Sequence, residues 1–168
     1  MGALTSVLDV IFLAFFIIHI PTTLLVDSQS VFPAEYYPPW AKEALKWHIE
    51  MNGDHLVSKN PTWFVSLVWG EVLYQLPFFF VASYAFIKRR NWIRVPSIIY
   101  GAHVVTTMIP ILTDILFGPD SGPKRHTLAA IYVPYLIVPL LLLVRMAVVE
   151  QPFGADDASK RGVKRKAQ

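Results

Sequence analysis

The chain has 168 residues, of which 54% are hydrophobic and only 16% charged, with a mean hydropathy of +0.45. Soluble domains carry about 25% charged residues, so the composition points to a membrane protein, and the length suits one domain. The absence of cysteine excludes a disulfide framework, a thiolate nucleophile and a cysteine-based zinc site. The net charge of +3 comes from basic residues placed where apolar stretches end, which membrane topology explains without any nucleic-acid partner.

A bilayer core takes about 20 mostly apolar residues per helix, and four stretches qualify: residues 7–26, 63–87, 95–117 and 128–149. The first is read as a membrane helix rather than a cleaved leader. No Lys or Arg precedes it, its apolar run is long, and it continues into His19-Ile20-Pro21 instead of a small-residue cleavage site. Residues 27–62 form a long loop. Within it, Pro38-Pro39-Trp40 starts a short amphipathic helix running to Met51, with apolar surface from Leu45, Trp47, Ile49 and Met51. That helix is expected to cap one end of the bundle. The second stretch holds Glu71, Gln75 and Pro77. The third holds Tyr100, His103, Thr107, Pro110 and Asp114 at spacings of three and four, as on one helical face. The fourth holds Tyr132, Pro134, Tyr135, Pro139 and Arg145, with both tyrosine hydroxyls expected to turn inward. Residues 150–168 form a polar, basic tail, expected to be disordered from Pro152 onward.

Every span contains proline: Pro21, Pro77, Pro110, and then Pro134 with Pro139. Proline removes a backbone hydrogen bond and bends a helix, so four bent helices can enclose a cavity. Proline is also simply commoner in membrane helices, and both readings stand at this point. The fold class expected is all-α: an integral membrane four-helix bundle with proline-kinked helices and an occluded pocket.

Glu71 is the most informative residue. A carboxylate two turns inside a span costs several kcal/mol unless it is paired, protonated or hydrated. Gln75 projects from the same face one turn later, and Asp27 ends the first span on the side where the second begins. Alone, Asp27 reads as an interfacial helix-end carboxylate. Beside Glu71 it becomes half of a pair, and two close carboxyls share a proton and leave one negative charge for an organic cation. His19 and His103 read as packing residues, because no HxxxH or HExxH spacing supports a metal. No cofactor is expected.

The segments EVLYQLPFF (71–79), TTMIPIL (106–112), PSIIY (96–100), His19-Ile20-Pro21, Pro61-Thr62-Trp63-Phe64, Tyr84-Ala85-Phe86, Trp92-Ile93-Arg94 and Pro134-Tyr135 resemble the EXPERA membrane family, which includes the sterol Δ8-Δ7 isomerase. The resemblance spans about residues 11–145. It implies an EXPERA domain over residues 7–149, residence in the endoplasmic reticulum, and a pocket for sterols and amphiphilic amines. By resemblance, Asp27 pairs with the ligand amine and a protonated Glu71 supports it. Trp47, Gln75, Tyr100, Thr107, Ile111 and Tyr135 complete the wall. Family members are linked to cholesterol homeostasis and to the Niemann-Pick type C cholesterol transporter, and fungal relatives to quality control of mistargeted mitochondrial precursors.

Three functions follow. The first is non-catalytic binding of sterols and cationic amphiphiles. The second is sterol double-bond isomerisation, for which two carboxyls of divergent acidity have the right chemistry. The third is a quality-control factor with a vestigial pocket. The family's isomerase pattern, however, places acids and histidine differently along helices two and three, and no acid lies between Arg94 and Asp114. A homodimer is the expected assembly. Lys164 and Lys166, in the terminal Lys164-Arg165-Lys166-Ala167-Gln168, fit a retrieval signal read by coat proteins, or equally a basic patch drawn to anionic membrane lipid.

Lys88, Arg89, Arg90 and Arg94, between the second and third spans, and the tail basics Lys160, Arg161, Lys164, Arg165 and Lys166 place both termini on the cytosolic side. Protease added to sealed microsomes is therefore expected to remove the tail; a tail that resists it without detergent overturns the topology.

Overall fold

The structure is a computed structural model that describes residues 3–154, so Lys164 and Lys166 lie outside the described residues. Among the described residues all regular structure is helical. Four helical stretches are long and apolar enough to cross a membrane: Val7–Ser30, Thr62–Ile87, Asn91–Phe117 and Arg125–Val148. They match the expected spans to within a few residues, and the chain is a multi-pass membrane protein.

The first span is α1 (Ala3–Leu25), followed by a 3-10 turn at Asp27–Ser30. The long loop is mostly structured. It holds a second 3-10 turn (Ala34–Tyr36), α2 (Pro39–Asn52) and α3 (His55–Lys59). Pro39 occupies the first turn of α2, where its missing N–H costs nothing. Gly53 ends α2 in the left-handed conformation, φ 68°, which glycine adopts without steric penalty. Asp54 then caps α3 by accepting from the Val57 N–H at 3.0 Å.

The second span is interrupted. α4 (Thr62–Gly70) passes into one π turn at Glu71–Gln75 and then into α5 (Leu76–Ile87). Across the break the Leu76 N–H bonds to the Glu71 carbonyl, five residues back. Pro77 follows at once and has no N–H to offer the α-helical ladder. Proline thus acts differently here from Pro21, Pro110, Pro134 and Pro139, through which α1, α6 (Arg94–Phe117) and α7 (Arg125–Val148) continue as helices.

The core is aromatic. Phe16 lies edge-on to Phe78, Phe86 and Tyr100, with centroids 5.6, 5.6 and 5.9 Å away, and Phe78 stacks on Tyr100 at 4.4 Å. The end that carries the termini is closed by charge. Asp9, buried in α1, meets Arg145 of α7, with Arg89 at 3.7 Å. Arg145 also lies over the Phe12 ring at 5.8 Å and donates to the Pro152 carbonyl at 3.3 Å. Such a partnered charge is tolerated near a span end, whereas an unpaired one is costly.

The tail departs from expectation where it is described. Pro152 and Phe153 are buried, Phe153 packs edge-on to Phe86 at 5.1 Å, and its N–H donates to Asn91 Oδ1 at 3.0 Å. Polar composition hid one large apolar anchor. Arg94 adds a clasp by donating to the Met146, Ala147 and Val149 carbonyls at the free end of α7.

α6 and α7 form the most extensive helix pair. Gly101 sets their approach: a Cβ there would lie 2.8 Å from Leu143 Cβ and 2.9 Å from the Pro139 carbonyl oxygen. Small residues permit such close packing in membranes. Gly101→Ala is expected to destabilise by about 1–3 kcal/mol through overpacking, read as a melting temperature lower by several degrees in detergent. Gly122→Ala, with open space around it, serves as the neutral control; an unchanged Gly101→Ala midpoint overturns the packing argument.

Candidate functional site

A cavity of about 240 Å³ lies between the helices, toward the end that carries the long loop. One water needs only about 10–15 Å³ of such space. Its walls are mostly apolar: Phe15, Val26, Leu67, Val68, Val104, Met108, Ile111 and Ile131, with Leu45 of α2 and Val57 of α3 over the loop end. Ligand pockets combine such walls with a few convergent polar groups, and Asp27, Glu71 and Gln75 are among those here.

Asp27 and Glu71 are hydrogen-bonding neighbours. Each is positioned by backbone as well as by sequence. Asp27 opens the 3-10 turn after α1, which is pinned by Gln29 Nε2 donating to the Ala41 carbonyl at 3.1 Å and by Ser28 Oγ against the Tyr37 hydroxyl at 2.7 Å. Glu71 begins the π turn, and the fully buried Thr23 hydroxyl donates to its Oε1 at 2.6 Å. That geometry lets the two carboxyls share one proton while Glu71 Oε1 accepts from Thr23. π turns often occur at functional sites.

Of the other residues expected in the wall, Gln75, Tyr100, Thr107, Ile111 and Tyr135 line the cavity. Trp47 does not. It is 63% exposed on the outer side of α2, and its neighbours Leu45 and His48 turn inward instead. The stripe on the third span also divides. Tyr100, Val104, Thr107, Met108 and Ile111 face the cavity. His103 lies to one side, 3.5 Å from Gln75 Nε2 and edge-on to Tyr74 at 5.2 Å. Pro110 and Asp114 line a separate outer groove with Trp63 and Phe117. A spacing of three or four residues tolerates an arc wider than the cavity's mouth on α6. His19 and His103 therefore do not meet.

One cluster went unnoticed in the sequence. Asp54, fully buried, accepts from Tyr132 Oη at 2.7 Å and from His48 Nε2 at 3.0 Å, besides the Val57 N–H. Asn52 Nδ2 lies 3.1 Å from His48 Nδ1; by donating there it fixes the ring's proton on Nε2, facing Asp54. His55 adds a second tie, 2.8 Å from Asp114 at the end of α6. The signal was available in Asn52-Gly53-Asp54, a helix stop followed by an N-cap residue.

The family model for EXPERA, the expanded EBP superfamily, matches residues 40–146, and the chain belongs to this family of membrane proteins. Within it, the chain is 46% identical over 156 residues to sigma intracellular receptor 2 of Xenopus tropicalis, covering 87% of this chain and 91% of the relative. It is 42% identical over 145 residues to the Homo sapiens sigma intracellular receptor 2, covering 79% and 82% of the two chains. It is 30% identical over 152 residues to efficient mitochondria targeting-associated protein 19 of Saccharomyces cerevisiae, covering 78% and 92%. The resemblance carried by EVLYQLPFF and TTMIPIL is thereby that of a sigma-2 receptor relative.

Burial alone would push the Asp54 carboxyl up, but the donors His48, Tyr132 and Val57 hold it below the ordinary carboxylate range. A depressed value means its stabilisation is complete above the unfolded pKa, about 3.9, and is lost as pH falls through the lower folded value. Asp54→Asn is therefore expected to lower the melting temperature in detergent by an amount that is constant from pH 7 to 5 and shrinks only below about pH 4. A difference that closes between pH 7 and 5 contradicts the assignment.

Proposed function

We propose that this protein binds sterols and cationic amphiphiles in its intramembrane cavity, as a non-catalytic endoplasmic reticulum protein of cholesterol and lipid homeostasis. The observation that carries the reading is the Asp27–Glu71 pair at a cavity whose walls are otherwise apolar and neutral polar side chains. Two adjacent carboxyls share a proton and keep one negative charge. An amine supplies the counter-charge, and its apolar body fills the remaining space. The names of the animal relatives support a receptor. On this reading both termini are cytosolic, the chain forms a homodimer, and the tail engages either coat proteins or membrane lipid. A Niemann-Pick type C cholesterol transporter is its partner in sterol handling.

Two alternatives have specific support. The EXPERA family includes isomerases, and a carboxyl pair suits proton transfer to and from a sterol double bond. The name of the yeast relative concerns mitochondrial targeting, which favours a quality-control role. Mass spectrometry of lipid retained by the purified protein separates them. A sterol held unchanged supports binding, a shifted double bond supports isomerisation, and an empty cavity favours the third.

In the binding reading Asp27 holds the charge and Glu71 stays neutral. Asp27→Asn is expected to weaken a radiolabelled amphiphilic amine by about 30- to 1,000-fold, the cost of unpairing a buried charge. Glu71→Gln, which retains a neutral hydrogen-bonding group, is expected to cost less than Glu71→Ala. Undiminished amine affinity in folded Asp27→Asn overturns the assignment; equal losses in Asp27→Asn and Glu71→Gln mean that both carboxylates act ionised.

A further inference from the structure

α2 carries more apolar surface than the bundle covers. At about 100° per residue its side chains sort into three faces. Ala41, Leu45 and His48 form the first: Ala41 is buried, and Leu45 and His48 line the cavity. Lys42, Glu43, Lys46 and Glu50 form the second and are exposed. Trp40, Ala44, Trp47 and Met51 recur at i, i+4, i+7 and i+11 and form the third. They are exposed as well, and both tryptophans and the methionine are more than half so. A single exposed apolar side chain needs no explanation, but an unbroken stripe holding two indoles does.

The stripe lies where the membrane spans end. At the start of α2, Gln29, in the last turn of the first span, donates to the Ala41 carbonyl at 3.1 Å. At its finish, Lys124, the residue before the fourth span, donates to the Met51 carbonyl at 2.7 Å. A helix tied at both ends to span ends lies along the membrane plane and does not project away from it. The chain leading into α2 also touches the outside of the bundle. Phe32 stands edge-on to Trp69 at 5.3 Å, and Trp69 is an exposed residue of the second span, two turns in from Thr62. The lipid-facing surface of that span is therefore continuous with the loop that carries α2.

Charge does not explain the seating. The polar face of α2 holds two lysines and two glutamates, and Lys46 pairs with Glu50 at 3.8 Å. It offers no net charge to an anionic surface. Indole rings, by contrast, favour the level of the lipid headgroups.

We infer that α2 is an interfacial helix. Its Trp40–Ala44–Trp47–Met51 stripe lies in the boundary between headgroups and acyl chains at the loop end, where such faces sit about 5–10 Å deep. It is seated by aromatic and apolar burial rather than by charge. The bilayer thus flanks the helix whose neighbouring face supplies Leu45 and His48 to the cavity wall.

The chain contains no cysteine, so an introduced cysteine reports one position only. Ala44→Cys and Trp47→Cys on the stripe, and Glu43→Cys and Lys46→Cys on the polar face, each carry a nitroxide in the full chain reconstituted into phosphatidylcholine vesicles. Each label is exposed to oxygen, which concentrates in lipid, and to a neutral nickel chelate, which stays in water on both sides. The ratio of oxygen to nickel collisions is expected to be several-fold higher at 44 and 47 than at 43 and 46. It is expected to stay unchanged when part of the phosphatidylcholine is replaced by anionic phosphatidylglycerol. Monodisperse elution and melting temperature verify folding. Should Trp47→Cys fold poorly, Ala44→Cys, a small change at an exposed position, decides the outcome.

Equal ratios on the two faces place the stripe in water and overturn the inference. Low collision with both reagents at 44 and 47 also overturns it, because the stripe is then covered by protein, a second copy of the chain included. A ratio at 44 and 47 that rises with phosphatidylglycerol overturns the seating by apolar burial alone.

Discussion

A carboxyl group inside a bilayer must be answered by something, and the position of Glu71 sets that demand for the whole fold. Lipid offers neither a donor nor a counter-charge. The answer comes from three places at once. α1 brings Thr23 to its oxygen, the turn after α1 brings Asp27 beside it, and the π turn of the second span aims it inward. None of these serves without the others. The long loop is drawn into the same arrangement, because Ser28 and Gln29, which bond back to Leu24 and Leu25 of α1, also reach Tyr37 and Ala41.

The two ends of the bundle meet different requirements. At the end bearing the termini, charge is neutralised by charge: Asp9 by Arg145, and the last carbonyls of α7 by Arg94. No cavity is needed there, and Phe153 fills the remaining gap. At the loop end, Asp54 is satisfied by hydrogen-bond donors from α2, α3 and α7. Tyr132 and His48 belong to this cluster and to the cavity wall together. Closure of the loop end and the shape of the cavity are therefore one arrangement, and a change in either is felt by the other.

The large features were legible in the sequence because they follow from solvent. Four apolar runs, an intramembrane Glu71, and a proline-started helix at Pro39 each have a single physical reading. Asp27 and Glu71 could be paired from span ends alone. Trp47 was assigned to the wall through family resemblance, and the amphipathic face of α2 sends it outward. His103 and Pro110 share a spacing with Tyr100 but lie beyond the arc that faces the cavity. Asp9 was overlooked within an apolar run, although Arg145 in the fourth span was a complementary charge in view. Asp54 was hidden for another reason: in sequence a buried cap and a solvated loop acid look the same, and only its three donors distinguish them.

The π turn has a consequence for how the second span can change. An α-helix advances 100° per residue, so the extra residue in the turn offsets α5 from α4 by that angle. Glu71 and Gln75 can face the cavity while Phe78 and Phe79 face the aromatic core only because the two halves are out of phase. Removing one residue between 71 and 75 would restore an unbroken helix of nearly the same length and hydropathy. It would also swing one half by about a quarter turn, taking either the carboxyl from its partner or the phenylalanines from theirs. The span is thus intolerant of a length change that composition would not register. Its residue count is as much a part of the site as its residues.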